Sequence, residues 1–304
     1  MEVVVAGGGI AGLTAGLTAA RLGRKTLVLT GGVPGGLLLS IERIDGFPGF
    51  PDGVPGYELC PMLEEQAAAS GAEFAMAELQ SIEARDGQWH VGTSEGEHAA
   101  GAVIVATGSR LKELGVPGEE RLRGRGVSHC ASCDAPLLRD QVVGVVGGGD
   151  SALQEALTLA ASAAEVIVVH RGEALSAQAA YQERVLEHPK ISVRCGTVVE
   201  EILGEDRVEG VRTRDGDELE LRAVFVYVGL QPNSELVEGL TEGIPTDGSM
   251  RTEHQGLLAA GIVRVGAAGR AAASAGDGAA AAISADRYLT DGVWPGAFAV
   301  ANGG

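Results

Sequence analysis

The stretch Val3-Val4-Val5-Ala6-Gly7-Gly8-Gly9-Ile10-Ala11-Gly12 decides how the rest of the chain is read. Its apolar opening suits a strand buried on both faces. The glycines then make a tight turn, and an Ala/Leu-rich stretch to Leu22 follows with helical character. Lys25 to Leu29 is a second short apolar run, which completes a βαβ unit of about 30 residues. In the pattern G-x-G-x-x-G, Gly7 makes the turn and Gly9 lets the backbone approach a pyrophosphate. Gly12 permits close packing of helix on strand, and the helix N-terminus, at Ile10 and Ala11, faces the phosphates.

The same grammar returns further along. Val142 to Val146 is an apolar run, Gly147-Gly148-Gly149-Asp150-Ser151-Ala152 is the turn, Leu153 to Ala161 is helical in pattern, and Val166 to Val169 closes the unit. Gly147, Gly149 and Ala152 fit the variant of the motif that ends in alanine. Either turn alone is weak evidence; both in strand–turn–helix context are much stronger. Val103 to Gly108 and Val224 to Gly229 read as buried strands ending in tight turns. Gly115-Val116-Pro117-Gly118 and Leu230-Gln231-Pro232-Asn233 are turn-rich candidates for crossings between domains. The fold class is therefore α/β, with two Rossmann-like three-layer nucleotide-binding domains, the second inserted in the first. The discontinuous domain is placed at 1–114 and 243–304, the inserted one at 115–242.

Strand ends bear on the nucleotide. An acidic residue about 20 positions beyond the turn favours a ribose with free hydroxyls, and an arginine favours a 2′-phosphate. After the first turn that position is Thr30, which is indecisive. After the second it is His170-Arg171, which leans towards NADP.

Composition narrows the function. The 304 residues carry 23 basic and 41 acidic side chains, a net charge of −18. So acidic a surface disfavours nucleic acid and anionic lipid as partners. No run of strongly apolar residues is long enough for a membrane span. Met1-Glu2 leads straight into the first strand, so no signal peptide is expected. Four cysteines in a chain this long do not make a disulfide scaffold, which points to a reducing cytoplasm.

Cys130-Ala131-Ser132-Cys133-Asp134 is the strongest chemical signal. Two intervening residues let the sulfurs meet at a helix N-terminus, where a thiol pKa falls, and Asp134 is placed to shuttle a proton. A zinc site is the rival reading, but it needs about four ligands, and only Cys60, Cys195 and scattered His remain. No metal is therefore expected, and Cys60 and Cys195 are read as core residues. An inert buried pair is the third reading. A redox pair beside two dinucleotide turns suggests electron flow between nicotinamide, flavin and dithiol.

With these residues on the page, the chain resembles the low-molecular-weight bacterial thioredoxin reductase family from Val3 to about Leu289. The matching stretches, in order, are Gly7 to Gly12, Pro34-Gly35-Gly36, Asp45 to Gly49, Ala106-Thr107-Gly108, Cys130 to Asp134, Gly147 to Ala152, His170-Arg171, Gly229 to Asn233 and Ala285 to Leu289. The resemblance implies FAD in the discontinuous domain, held by Gly7, Gly9, Ile10, Ala11, Gly12, Thr30, Gly36, Leu37, Thr107, Gly108, Gly261, Ile262, Arg270 and Ala271. It implies NADPH in the inserted domain at Gly147, Gly149, Asp150, Ser151, Ala152, His170 and Arg171, with NADH, or no nicotinamide at all, as the alternatives that the departures from the family open. It further implies a homodimer and a domain rotation. Cys133 would be the flavin-facing thiol, Cys130 the thiol that attacks substrate, and Asp134 the acid.

Departures accompany the match. Gly172 and Ser176 stand where the family usually has arginines that bind the 2′-phosphate. Gly261-Ile262 lacks the family's Gly-Asp carboxylate, Gly269-Arg270-Ala271 replaces Arg-Gln-Ala, and Gly36-Leu37 replaces Gly-Gln. Three functions follow. One is reduction of a thioredoxin-like protein disulfide. Another is the reverse flow, in which a small-molecule or protein dithiol feeds flavin and O2, closing a disulfide in a natural product. The third is a non-enzymatic flavin-binding module, against which the intact cysteine pair argues. Within the tail Thr290 to Gly304, Trp294, Pro295 and Phe298 raise two expectations: an aromatic laid over the flavin, or an ordinary frayed terminus.

Overall fold

Val3–Ala6 forms strand β1, buried along its whole length, and the computed structural model describes residues 1–237, 239 and 241–294. Helix α1 (Ile10–Arg21) and strand β2 (Thr26–Leu29) follow. Then come helix α2 (Gly56–Ala69), strand β3 (Glu73–Ala75), and the antiparallel strands β4 (Leu79–Arg85), β5 (Gln88–Thr93) and β6 (Gly96–Ala100). Strand β7 (Ala102–Val105) returns beside β1, and Ser109–Leu111 (β8) carries the chain out of this first unit.

The second unit spans Leu111–Leu230. It holds β9 (Val127–Ser128), the short helix α3 (Ala131–Asp134), β10 (Val142–Val146), α4 (Asp150–Ala160), β11 (Glu165–Val169), α5 (Ala179–Leu186) and β12 (Ile191–Arg194). The antiparallel trio β13 (Val199–Leu203), β14 (Gly210–Thr213) and β15 (Glu218–Glu220) precedes β16 (Ala223–Val226). Leu230–Pro232 (β17) leads back, and the first unit is completed by β18 (Leu257–Ala259) and helix α6 (Ala271–Asp291).

Each unit is built on a five-stranded parallel sheet, ordered β18-β7-β1-β2-β3 in the first and β12-β11-β10-β16-β9 in the second. Side chains alternate across β1. Val3 and Val5 face Ala11, Ala15 and Ala19 of α1 and Ala281, Ala282 and Ala285 of α6. Val4 faces the other way, against Val91 and Ala100 of the antiparallel layer. Parallel strands covered on both faces need continuous apolar runs, which is why VVVA and AVIV carry no polar residue. In the second unit Val143 and Val145 pack against Ala152, Leu153 and Ala156 of α4. Val224 and Val226 pack against Ile202 and Val211 of the antiparallel trio.

The units divide at 110/111 and 230/231 rather than at 114/115 and 242/243. The residues after Pro232 belong to the first unit for a local reason. Asn233 N donates to Gly108 O at 3.0 Å, and Asn233 Nδ2 to Thr107 O at 3.0 Å, while the Thr107 hydroxyl donates to Asn233 O at 2.6 Å.

Arg24 ties separate parts of the first unit together. Its guanidinium donates to Glu2 Oε1 at 3.0 Å, to Asp286 Oδ1 at 2.7 Å, and to the Asp286 carbonyl and Thr290 hydroxyl of α6. Trp294 lies close by. Its ring stands edge-on to Tyr288 at 5.2 Å, and its Nε1 donates to Thr252 O at 3.3 Å, ahead of β18. That is the opposite end of the sheet from the glycine turn, so Trp294 does not cover a flavin there. Pro295 and Phe298 lie outside the described residues. No described helix is long and apolar enough to cross a membrane.

Candidate active site and nucleotide turns

In the first unit the C-terminal ends of β1, β2, β7 and β18 converge. Gly7 adopts φ 126°, and an added Cβ would strike the Ala106 carbonyl oxygen. Thr30 stands behind Gly8, and Gly35 N donates to Gly8 O at 2.7 Å. Gly36 and Leu37 open a 3-10 turn whose Gly36 faces the Gly9 Cα, while Ile262 sits between Gly108 and Gly269. Arg270 is the N-cap residue of α6, immediately ahead of Ala271.

Helix α1 starts at Gly9 with no side-chain cap, so its first-turn amides are free for a ligand. An added Cβ at Gly9 would meet nothing within 4 Å. An uncapped helix start over an open glycine is the cradle a dinucleotide pyrophosphate requires, so the residues present fit FAD. All fourteen residues expected from the sequence to hold FAD lie in this one unit. A carboxylate that the sequence reading missed also reaches the site. Asp277 Oδ2 accepts from Gly261 N at 3.2 Å and from Arg264 at 3.0 and 2.7 Å. The signal was present as Gly276-Asp277-Gly278, an acid flanked by glycines inside an alanine-rich helix.

The second turn repeats the backbone. Gly147 has φ 146°, and an added Cβ would strike the Tyr227 carbonyl oxygen. Helix α4 also starts without a side-chain cap, at Gly149, although its first turn carries Asp150. The Asp150 carboxylate accepts from Gln178 N at 2.8 Å and Gln178 Nε2 at 2.7 Å, which holds it. Ser151 is exposed, and Ala152 is buried against the strands. The His170 ring stands behind Gly148, and its Nε2 would lie 2.8 Å from a Cβ added at Gly172. Ser176 and Ala177 donate their amides to Gly148 O at 2.9 and 3.0 Å, so the loop after His170 folds back onto the turn. Arg171 is exposed beside it.

Cys130 and Cys133 form a disulfide with Cα atoms 5.4 Å apart. Strand β9 positions them: it pairs with β16, and His129 Nδ1 lies 2.9 Å from Val226 O. Cys130 N donates to Ser128 Oγ at 3.1 Å, and Cys130 Sγ lies 3.6 Å from Ser132 Oγ. Asp134 is half-buried in the same turn, its amide donating to Cys130 O at 3.3 Å. The helix expected here is a single turn, followed by a 3-10 turn over Ala135–Leu138. Its dipole is correspondingly small, because aligned peptide units must accumulate to build one.

The remaining cysteines part company. Cys60 on α2 is fully buried, and burial pushes its thiol up to about 11. Cys195, expected in the core, is exposed, because it follows β12 at the edge of its sheet. Among the described residues no group of three or more His, Cys, Asp or Glu is arranged to hold a metal ion.

The chain is similar to known proteins over most of its length. The family model described as pyridine nucleotide-disulphide oxidoreductase matches residues 1–279. A thioredoxin reductase of Treponema pallidum is 38% identical over 297 residues, covering 95% of this chain and 97% of that protein. Among solved structures, a thioredoxin reductase of Lactococcus lactis superposes with a TM-score of 0.91 at 36% identity, covering 95% of this chain and 99% of that one. One from T. acidophilum gives a TM-score of 0.90 at 30% identity, with coverage of 95% and 99%.

Proposed function

The chain belongs to the pyridine nucleotide-disulphide oxidoreductase family, and from that membership we propose how its residues divide the work. It is a flavin-dependent oxidoreductase of thioredoxin reductase type, acting on disulfides. In the proposed cycle Cys130–Cys133 exchanges electrons between FAD in the first unit and a thioredoxin-like protein disulfide. One observation carries this reading: a closed Cys-x-x-Cys disulfide with an acid in its own turn, in a unit that also carries a dinucleotide turn.

Bound FAD supplies two-electron transfer between a nicotinamide and sulfur. The chain does the rest. The amides of Ile10, Ala11 and Gly12 take the pyrophosphate, and Thr30 lies beneath the turn at the end of β2. Cys133 would be the thiol that exchanges with the flavin, Cys130 the thiol that attacks the substrate disulfide, and Asp134 would hold the proton that the leaving thiolate takes. Gly147, Gly149, Asp150, Ser151, Ala152, His170 and Arg171 frame the nicotinamide nucleotide. Arg171 alone stands where the family usually offers three arginines to a 2′-phosphate, so the site takes NADH about as readily as NADPH. The homodimer and the cytoplasmic setting belong to the same proposal.

A second reading rests on Gly172 and Ser176. If the loop they belong to holds no nicotinamide at all, electrons enter from a dithiol and leave to O2, and the product is a disulfide. Anaerobic mixing of the flavoprotein with NADPH, NADH or a dithiol tests the two readings. Flavin bleaching by either nicotinamide supports the reductase. Bleaching by dithiol alone, with colour returning in air, supports the oxidase. No bleaching by any donor overturns both.

A further inference from the structure

Tyr227 follows directly on β16, with its amide donating to Val146 O at 2.8 Å. It is 9% exposed and shares a core cluster with Ala131 and Ala135, the residues that flank and separate the cysteines' turn. Its hydroxyl is buried and has no hydrogen-bond partner. The polar groups that bear on it are the Ala131 amide, from α3, and the carboxylates of Glu155 on α4 and Asp134 on α3. None of these meets hydrogen-bond geometry with the phenol oxygen. Burial, with the two carboxylates adding to it, holds the phenol in its protonated form. An O–H donor is therefore buried in the cluster that holds Ala131, the residue after Cys130, with nothing to donate to.

A buried, unsatisfied hydroxyl is costly, and natural cores rarely keep one without a use. The same tyrosine with phenylalanine in its place would fill the space and lose only the oxygen. The state in which the oxygen is useful is the one with the disulfide open. Opening takes two electrons from the reductant, breaks the Sγ–Sγ bond, and leaves one sulfur protonated from solvent and the other as thiolate. A thiolate beside an unsatisfied O–H gains a charge-assisted hydrogen bond, and the tyrosine keeps its proton throughout.

We propose that Tyr227 is a positioning residue for the Cys130–Cys133 pair, its hydroxyl unsatisfied while the disulfide is closed and donating to the thiolate once it is open. It thereby shifts the pair towards the dithiol. This rests on the reading that the pair opens and closes in the catalytic cycle.

The test uses the full flavoprotein and Tyr227→Phe, each equilibrated anaerobically in graded mixtures of oxidised and reduced dithiothreitol. The state of the pair is read by alkylation and mass. Phenylalanine is expected to favour the disulfide by about tenfold, a potential lower by about 30 mV. The thiolate pKa, read by absorbance at 240 nm, should rise by about one unit, the same factor of ten. The melting temperature of the oxidised variant should be no lower than that of the parent, since only an unpaired oxygen is lost. Equilibrium constants within twofold of each other, or a shift towards the dithiol, overturn the proposal. So does an oxidised variant that melts lower, which would mark the oxygen as structural. A parent pair that never opens in dithiothreitol sinks the disulfide-exchange reading itself. A pair that opens equally in both proteins sinks only Tyr227.

Discussion

Gly7 and Gly147 hold similar conformations, at φ 126° and 146°, each pressed against a carbonyl oxygen of the neighbouring strand, Ala106 in one unit and Tyr227 in the other. Both lead into a helix without a side-chain cap. The surroundings differ. Behind the first turn stands the small Thr30, and the first turn of α1 carries no acid. Behind the second stands the His170 ring, and α4 begins with Asp150, whose carboxylate is taken up by Gln178. The pyrophosphate cradle is a backbone property and can be repeated with little sequence. Discrimination at the adenosine end belongs to side chains, and there the second turn is followed by Arg171 and then by Gly172 and Ser176.

The largest expected effect separates the turns. Gly7→Val forces a β-branched side chain into a left-handed backbone against Ala106 O, and the purified protein should be colourless, read by absorbance at 450 nm. Gly147→Val should keep its colour and lose bleaching by NADH. A colourless Gly147 variant would mean the two sites are not independent. Next in size, Ser176→Arg with Gly172→Arg should raise preference for NADPH over NADH by about two to four decades. That figure is the sum of two charge-assisted bonds of about 1.5–3 kcal/mol each. The measurement is nicotinamide affinity by fluorescence, and an unchanged ratio would show that the loop does not approach the phosphate.

A smaller effect is expected at Arg270. If its charge bears on the flavin from the start of α6, Arg270→Ala should lower the flavin reduction potential by about 30–60 mV, the equivalent of one charge-assisted bond. An unchanged potential would place that charge elsewhere. The smallest effect contrasts the two lone thiols. With its thiol pushed up to about 11, Cys60 holds only about one part in a thousand as thiolate at pH 8. Native protein should therefore alkylate at the exposed Cys195 while Cys60 stays unmodified, as mass spectrometry of tryptic peptides would show.

Much of the architecture could be read from residues alone, and for one reason. Parallel strands covered on both sides demand uninterrupted apolar runs, and Val3–Ala6, Ala102–Val105, Val142–Val146 and Ala223–Val226 stand out against any background. The antiparallel layers did not stand out. Leu79–Arg85 and Gly96–Ala100 have one covered face and carry charges on the other, so their short alternation resembles loop. The cysteine pair and both turns were legible because they are local. Asp277 on the Gly261 amide was not, since the two stand sixteen positions apart and the acid lies on the second turn of α6. Tyr227 was equally hidden. Nothing in Val226-Tyr227-Val228 shows that its hydroxyl ends without a partner beneath residues nearly a hundred positions earlier.

Arg24 joins Glu2, at the start of the first strand, to Asp286 and Thr290 of α6. Between those residues in the chain lies the whole of the second unit. During synthesis, then, the inserted unit has all of its sequence before the first unit can close. Residues 1–110 must wait, with the α1 surface that α6 will cover still open, until residues 271–291 emerge from the ribosome. Domains fold as units while the chain is being made, so the order of assembly here runs from the inside of the sequence outward. The first unit closes after the inserted one has emerged, and the step that seals it is the docking of a helix rather than the formation of a strand.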